Sequence, residues 1–246
     1  LSAMALSLLS SCNNLQKVSA EPESLQKFTD EQLMDRVQND ALKYFWDFAE
    51  PNSLMGRERY HEDFYPKNDA NVVTTGGSGF GLMTILVGVE RGFIPRSEAV
   101  KRLTHIADFL AKADRHHGAW PHWLDGETGK TVSFGKKDNG GDIVETAFLV
   151  EGIITVREYF KNGNAEEKAL ARKMDDLWKS VEWNWYTKGG EKVLYWHWSP
   201  VNGWEMNHKL QGYDETLVTY ILAASSPTYP IDAETFYQGW TRNGTY

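Results

Sequence analysis

The residues best suited to chemistry are three carboxylates that occur within eight residues, Asp138, Asp142 and Glu145. Asp142 and Glu145 are three positions apart, so a helix that begins here places both on one face near its N-terminus. The preceding Gly140 and Gly141 let the backbone turn closely in front of them. Hydrolysis of a glycosidic bond needs such groups, because one carboxyl protonates the leaving oxygen and another activates water or attacks directly.

Helix capping is the alternative explanation of this acidic pair. An aspartate at the N-cap with a glutamate three residues later satisfies free N–H groups and complements the helix dipole. The segment after Glu145 is otherwise apolar, so this carboxylate must face a partner or a wet cavity, and we favour the cavity. The dipole holds Asp142 ionised, which suits a base or an orienting group. Glu215 begins a later apolar helix and is the fourth predicted acid, although a charge without a role explains it too.

Aromatic side chains supply the argument for sugar binding. The chain has ten tryptophans, and a pyranose ring packs its C–H face on an indole while its hydroxyls need polar neighbours. Core packing is the alternative for each tryptophan alone, and surface ion pairing is the alternative for the arginine. The predicted substrate-binding residues are Arg59, Trp120, His122, Trp123, Trp196, Trp204 and Tyr213.

No metal site and no cofactor are expected. The seven histidines lack the H-E-x-x-H pattern, and Cys12 is the only cysteine. Calcium at the loop around Asp138 is the alternative to this expectation. The glycine-rich segment 75–81 enters a helix, but it lacks the P-loop lysine and the dinucleotide-binding spacing. This segment therefore predicts close helix packing.

Charge and composition narrow the class of partner. The formal net charge is -8, and nucleic-acid binding uses clustered lysine and arginine, so no nucleic-acid partner is expected. Apolar residues make up 41% and charged residues 24% of the chain, as in an ordinary globular protein, and no internal run is long enough to span a bilayer. The expected partner is an oligo- or polysaccharide.

Hydrophobic periodicity predicts six helices that alternate between two kinds. Three have a single apolar stripe, namely 29–48, 96–113 and 164–181. Three are apolar nearly throughout and should be buried on all sides, namely 78–90, 142–160 and 213–224. An inner ring of buried helices inside an outer ring is the pattern of an α/α toroid. The predicted fold is all-α, an (α/α)6 toroid of which this chain holds roughly the N-terminal half.

Three long linkers precede the inner helices and carry the unusual residues. They are 55–77, 116–141 and 186–212. Linkers of this length without structure of their own are uncommon, so we expect short β-strands in them and one functional face built by all three.

The N-terminus predicts an exported lipoprotein. Residues 1–12 are typical of a truncated signal peptide that ends at a lipobox cysteine, Cys12, and residues 13–28 of a polar tether to the domain at 29–246. Acylation of Cys12 would anchor the protein, so the membrane is contacted only through lipid. The expected location is the periplasm or the outer membrane of a Gram-negative bacterium. An ordinary buried cysteine is the alternative.

The chain between Phe45 and Trp240 resembles the bacterial glucoamylase-like family, which includes the β-1,2-glucanases of glycoside hydrolase family 144. The resemblance implies an (α/α)6 barrel, hydrolysis of a β-glucan with inversion, and acidic site residues at Asp138, Asp142, Glu145 and Glu215. β-1,2-linked glucan or its oligosaccharides is the first choice of substrate. Six helices are half of twelve, so this chain alone need not be active. The matching strings are 57–61, 74–81, 117–123, 137–149, 195–200 and 212–215.

Two other functions compete with a hydrolase. A non-catalytic sugar-binding lipoprotein would use the same tryptophans but would not need three clustered acids. A polysaccharide lyase also fits a toroid, but acidic polysaccharides usually require a basic cleft. The predicted cleft is acidic, so the hydrolase is favoured over both.

Overall fold

The structure, a computed structural model, describes residues 28–63 and 69–245. Six α-helices dominate it: α1 (Asp30–Trp46), α2 (Thr75–Glu90), α3 (Arg96–Lys112), α4 (Ile143–Phe160), α5 (Ala165–Lys179) and α6 (Leu217–Ser225). Five short strands lie between them: β1 (Val72–Thr74), β2 (Trp123–Asp125), β3 (Thr131–Val132), β4 (Gly141–Asp142) and β5 (His197–Trp198). A 3₁₀ helix at Trp183–Thr187 follows α5, and a π-helical turn at Thr235–Trp240 follows α6. The predicted helix-rich fold is confirmed.

Local capping explains where two of the outer helices begin. Thr29 and Gln32 form a capping box at α1, and Asn164 and Glu167 form another at α5. These reciprocal bonds satisfy N–H groups that lack a partner in the first turn. The predicted start of α6 is wrong, because Asp214 Oδ1 accepts hydrogen bonds from the N–H and hydroxyl of Thr216. Because of this turn, α6 begins at Leu217 and not at residue 213.

The helices pack in two layers. Within one layer α4 packs against α2 and α6, and within the other α3 packs against α5. The layers meet where α5 packs on α4 and α1 packs on α2. This is the predicted alternation of inner helices (α2, α4, α6) with outer helices (α1, α3, α5).

Glycines let α2 and α4 approach until their backbones touch. A Cβ added at Gly79 would lie 2.1 Å from the carbonyl oxygen of Phe148, and one at Gly152 would lie 2.3 Å from the carbonyl oxygen of Gly79. Both distances are far below van der Waals contact, so only glycine fits at this crossing. The predicted close packing by the segment 75–81 is confirmed.

We expect Gly152→Ala to destabilise the protein, because the new methyl group must force α2 and α4 apart. The expected loss is about 1–3 kcal/mol of unfolding free energy, as for overpacked cores. Urea denaturation followed by circular dichroism measures it. Thr155→Ala is the control, since Thr155 is exposed on the same helix and should change stability by about 0.5 kcal/mol or less. Equal stability of the two variants would contradict the close approach.

The prediction that the inner helices are buried on all sides is wrong, most clearly for α2 and α6. Phe80 and Val87 of α2 are 48% and 40% exposed, and Ile221 of α6 is 55% exposed. Side-chain polarity predicts how many faces of a helix are apolar, but burial also requires a neighbouring element on each face. Within the described residues, neighbouring elements leave these side chains partly exposed, even though the ring of Phe80 contacts that of Phe148 in α4.

Strand pairing brings the three long linkers together. β1 pairs with β2, and β2 pairs with β3, both antiparallel. β4 pairs with β5, which places Gly141 opposite Trp198 and Asp142 opposite His197. The predicted short β-strands are confirmed, and they join the linkers ahead of α2, α4 and α6 at one end of the inner helices.

The predicted lipobox cysteine Cys12, the signal segment and nearly all of the tether lie outside the described residues. Among the helices that the structure describes, none has the length and apolarity needed to cross a bilayer.

Candidate active site

Asp142 lies at the point where β4 ends and α4 begins. Its Oδ1 accepts hydrogen bonds from the backbone N–H groups of Val144 (3.0 Å) and Glu145 (2.9 Å), so it is the N-cap of α4. Its side chain is completely buried. The capping explanation therefore holds for one oxygen of Asp142, whereas the other oxygen points to different partners.

Two histidines bind that second oxygen. Asp142 Oδ2 lies 3.1 Å from Nδ1 of His122 and 3.5 Å from Nε2 of His197. The same Nε2 of His197 lies 3.2 Å from Oδ2 of Asp138. His197 thus bridges two carboxylates that would otherwise repel each other, and all three groups of the bridge are at least nine-tenths buried.

Electrostatics fixes the charges of this cluster. Burial alone would raise the pKa of Asp142, but the hydrogen bonds from His122 and His197 outweigh it and lower this pKa to about 2. Burial opposes protonation of His197, yet the hydrogen bonds to Asp138 and Asp142 raise its pKa to about 9. The pKa of His122 is raised in the same way, since Asp142 outweighs the effect of burial. The cluster therefore holds an ionised aspartate against an imidazolium at neutral pH.

The pKa of Glu145 is shifted in the opposite direction from that of Asp142. Glu145 is partly buried, and burial together with the negative charge of Asp142 raises its pKa. The backbone N–H of Gly76 donates a 2.9 Å hydrogen bond to Glu145 Oε2 and holds the carboxyl in place. A Cβ at Gly76 would lie 2.4 Å from that oxygen, so the approach requires glycine. Two neighbouring acids with pKa values pushed apart are the arrangement that acid–base catalysis requires.

A cavity of about 650 Å³ opens beside the cluster. His122 and His197 form part of its wall, and Asp138 lies on it. The ring of Phe134 stacks on His122 with 4.1 Å between centroids, and Trp196 stacks on His197 at 5.7 Å. An apolar, aromatic wall with a few polar groups is what a sugar ring requires.

Trp123 and Arg59 lie around the same cluster. The indole N–H of Trp123 donates to Glu58 Oε2 at 2.9 Å, and its ring meets Phe134 edge-on at 4.8 Å. The side chain of Arg59 is 54% exposed and lies 3.4 Å from Glu58 Oε1. Glu58 contributes to the raised pKa of Glu145, so Glu58 extends the acidic face and Trp123 and Arg59 lie beside it.

Trp120 does not lie on this surface, which corrects its predicted role in substrate binding. It is completely buried, and its indole N–H donates to the carbonyl oxygen of Leu110 at 3.1 Å. Arg115 covers its ring at 4.0 Å. A sugar cannot reach this side chain, so the core-packing alternative applies to Trp120.

Four predicted residues lie in or around the cluster without lining the cavity of about 650 Å³, namely Asp142, Glu145, Arg59 and Trp123. Three further predicted residues lie away from the cluster. Trp204 lines a different cavity, together with Trp185. Glu215 is exposed in the turn before α6, not inside that helix. Tyr213 is 79% exposed, and its ring contacts Trp240 at 5.0 Å.

Donor atoms of His122, Asp138 and Asp142 lie within 4.8 Å of one another, a spacing that could hold a metal ion. His197 argues against a resident ion there, because its imidazolium already supplies the positive charge between the two carboxylates. A cation at this place would have to displace or deprotonate that ring.

Phe134 and Gly76 are not recognised as site residues from the sequence, and His197 is noted beside the tryptophans but is not among the predicted site residues. His197 lies between Trp196 and Trp198 in the sequence. If this segment is a strand, His197 points to the opposite face from both tryptophans, and this alternation could have indicated its role. No sequence pattern indicates that Phe134 belongs to the site, because the loop after β3 determines where its ring lies. Gly76 is recognised only once Glu145 lies against it.

The bridge predicts that stability falls in alkali. His197 has a folded-state pKa of about 9 against an ordinary value of 6.5. Its contribution, up to about 3 kcal/mol, is complete below pH 6.5 and is lost as pH rises through about 9. Urea unfolding at pH 7 and pH 10 measures this loss, and His197→Gln should reduce it because glutamine does not titrate. An equal loss in the variant would contradict an imidazolium at this position.

Comparison with known proteins gives a consistent result. The Glycoamylase family model matches residues 207–246. The exo beta-1,2-glucooligosaccharide sophorohydrolase (non-reducing end) of Parabacteroides distasonis is 49% identical over 240 residues, which are 97% of this chain and 32% of that protein.

Solved structures match as well. An endo-beta-1,2-glucanase from Chitinophaga pinensis, in complex with sophorotriose and glucose, is 56% identical with a TM-score of 0.87, over 89% of this chain and 52% of that one. A beta-1,2-glucanase from Parabacteroides distasonis is 50% identical with a TM-score of 0.82, over 87% of this chain and 30% of that one. This chain spans about half or less of the length of these proteins. The matches confirm the resemblance predicted by the motifs: the chain is a homologue of the bacterial glucoamylase-like proteins that include β-1,2-glucanases.

Proposed function

We propose that the complete protein hydrolyses β-1,2-glucan or its oligosaccharides. The observation that carries the proposal is the pair formed by Glu145, whose pKa is raised, and Asp142, whose pKa is lowered to about 2. The names of the homologous glucanases and of the sophorohydrolase support the class of substrate.

Glu145 is the proton donor in this proposal. It is the member of the pair that stays protonated to higher pH, and it is partly open to solvent. Asp142 is completely buried and engaged on both oxygens, so it acts by raising the pKa of Glu145 and by orienting the histidines. Asp138 lines the cavity of about 650 Å³ and is held by His197, which suits contact with sugar hydroxyls.

Inversion requires a second carboxyl group on the far side of the sugar, with room for a water molecule. Glu215 is exposed ahead of α6, and α6 packs beside α4, so Glu215 is the candidate within this chain. A residue from the rest of the protein is the other source. The anomer of the first product, read by NMR, decides between inversion and retention.

The complete fold in this proposal is an (α/α)6 toroid. The two layers of helices and the coverage of about half of the Chitinophaga pinensis structure support it. Export as a lipoprotein anchored at Cys12 is part of the same proposal, and it rests on the order of residues 9–12. Radiolabelled palmitate incorporation, compared with Cys12→Ser, tests the anchor.

Turnover tests the function. The complete protein is incubated with β-1,2-glucan, and new reducing ends are counted. An increase that β-1,3- and β-1,4-glucans do not give supports the proposal. Binding of the glucan without new reducing ends would indicate a non-catalytic sugar-binding protein instead. A product that absorbs in the ultraviolet would indicate a lyase.

A further inference from the structure

A second cavity, of about 780 Å³, lies on the other face of β5. Successive residues of a strand point to opposite sides. His197 points to Asp138 and Asp142, whereas the ring of Trp198 lies 5.9 Å from that of Trp185, which lines this second cavity. Among the described residues, none lines both cavities.

An aromatic platform forms the wall of the second cavity. Trp185 and Trp204 line it, with 6.4 Å between their ring centroids. Trp185 is 39% exposed, a large fraction for the residue type that most often lies in cores or binding sites. Tyr229 adds a third aromatic ring, also 38% exposed. The platform therefore exposes part of its apolar aromatic surface to solvent.

Neighbouring groups hold the Trp185 ring of this platform in place. The ring of His117 stacks on Trp185 at 3.5 Å with an interplanar angle of 13°. His117 Nδ1 lies 3.0 Å from Glu182 Oε2, and the N–H of Glu182 donates to the carbonyl oxygen of His117. Trp198 meets His117 edge-on at 4.7 Å. A side chain fixed in this way loses little conformational entropy on binding.

Polar groups surround the aromatic faces. Asn184, Lys188 and Glu182 line the same cavity. Together they offer an amide, an ammonium and a carboxylate at the edges of two indole rings. Sugar rings bind through this combination, because their C–H faces pack on aromatic rings while their hydroxyls exchange hydrogen bonds at the rim. The volume is within the usual range for small-molecule sites of about 300–1,000 Å³.

We propose that this cavity is a second, non-catalytic binding site for a stretch of the glucan chain. The inference rests on the proposed function, since it takes the same polysaccharide as ligand. The linker 186–212 contributes to both cavities, with His197 on the first and Trp204 on the second, and in this proposal one long chain occupies the two at once. Binding at two linked sites raises the affinity for long chains more than for short ones.

The test compares Trp185→Ala with Tyr237→Ala in the complete protein. Tyr237 is 59% exposed and lines neither cavity, so its substitution controls for loss of an exposed aromatic ring. For each protein, kcat/KM is measured on long β-1,2-glucan and on the trisaccharide. We expect Trp185→Ala to lower the ratio of the two values about five- to tenfold, and Tyr237→Ala to leave it unchanged.

Binding is measured separately in a Glu145→Gln background, by electrophoresis through gels that contain long β-1,2-glucan. Retardation should weaken with Trp185→Ala and also with Asn184→Ala, a change at an exposed rim residue that leaves the aromatic stack intact. An unchanged kcat/KM ratio and unchanged retardation would overturn the second site. If Trp185→Ala lowers kcat/KM equally on the long glucan and on the trisaccharide, the proposed second site is also overturned. If the unaltered protein cleaves no β-1,2-glucan, the proposed function itself fails.

Discussion

Glu145→Gln is expected to lower kcat on β-1,2-glucan at least about a hundredfold, the scale of general acid–base assistance. Glutamine keeps the size of the side chain and can accept the hydrogen bond from Gly76, but it cannot give a proton to the leaving oxygen. In the unaltered enzyme, activity should fall on the alkaline side as Glu145 loses its proton, and the raised pKa of Glu145 moves that fall to higher pH. Initial rates across pH measure both effects.

Glu151→Gln is the matched control, because Glu151 lies on the same helix and has a pKa raised by burial alone. Its rate should stay within about twofold of the unaltered enzyme, as expected for a residue outside the site. A near-normal rate for Glu145→Gln would leave Glu145 only the structural role of accepting the hydrogen bond from Gly76 and would remove the proton donor from the proposal.

Asp142→Asn is expected to lower kcat to a similar extent, at least about a hundredfold, although Asp142 is buried away from the cavity. Asparagine preserves a cap, since its Oδ1 still accepts from Val144 and Glu145, but the negative charge is lost. The pKa values of His122 and His197, which Asp142 raises, should then fall. The pKa of Glu145 should fall too, because Asp142 contributes to raising it.

The pH profile distinguishes this electrostatic role from a structural one. Loss of the neighbouring charge should shift the alkaline limb of Asp142→Asn to lower pH, whereas damage to the fold would lower the rate at every pH. Circular dichroism and thermal denaturation check that the variant is folded. An unshifted limb with a folded variant would contradict the coupling of Asp142 to Glu145.

The sequence by itself determined the order of the helices and the place of Asp142 and Glu145, but not that of Glu215, which lies in a turn ahead of α6. Helical periodicity is local, so the alternation of inner and outer helices could be recognised without tertiary contacts. The caps of α1 and α5 are also local, because a side chain bonds to backbone three residues away. Asp142 at the start of an apolar helix is a feature of the same kind, and the structure places it there.

Tertiary structure alone decided which aromatic residues meet the acids. Trp120 and Trp204 both lie in long linkers ahead of inner helices, yet one packs in the core and the other lines the second cavity. Pairing of β4 with β5 sets this outcome, since it brings His197 to Asp142 and turns Trp198 away. The charges of the cluster follow from that pairing as well, because a pKa depends on burial and on groups from distant parts of the chain. Sequence spacing identified Asp142 and Glu145, and only the fold made one ionised and the other able to hold a proton.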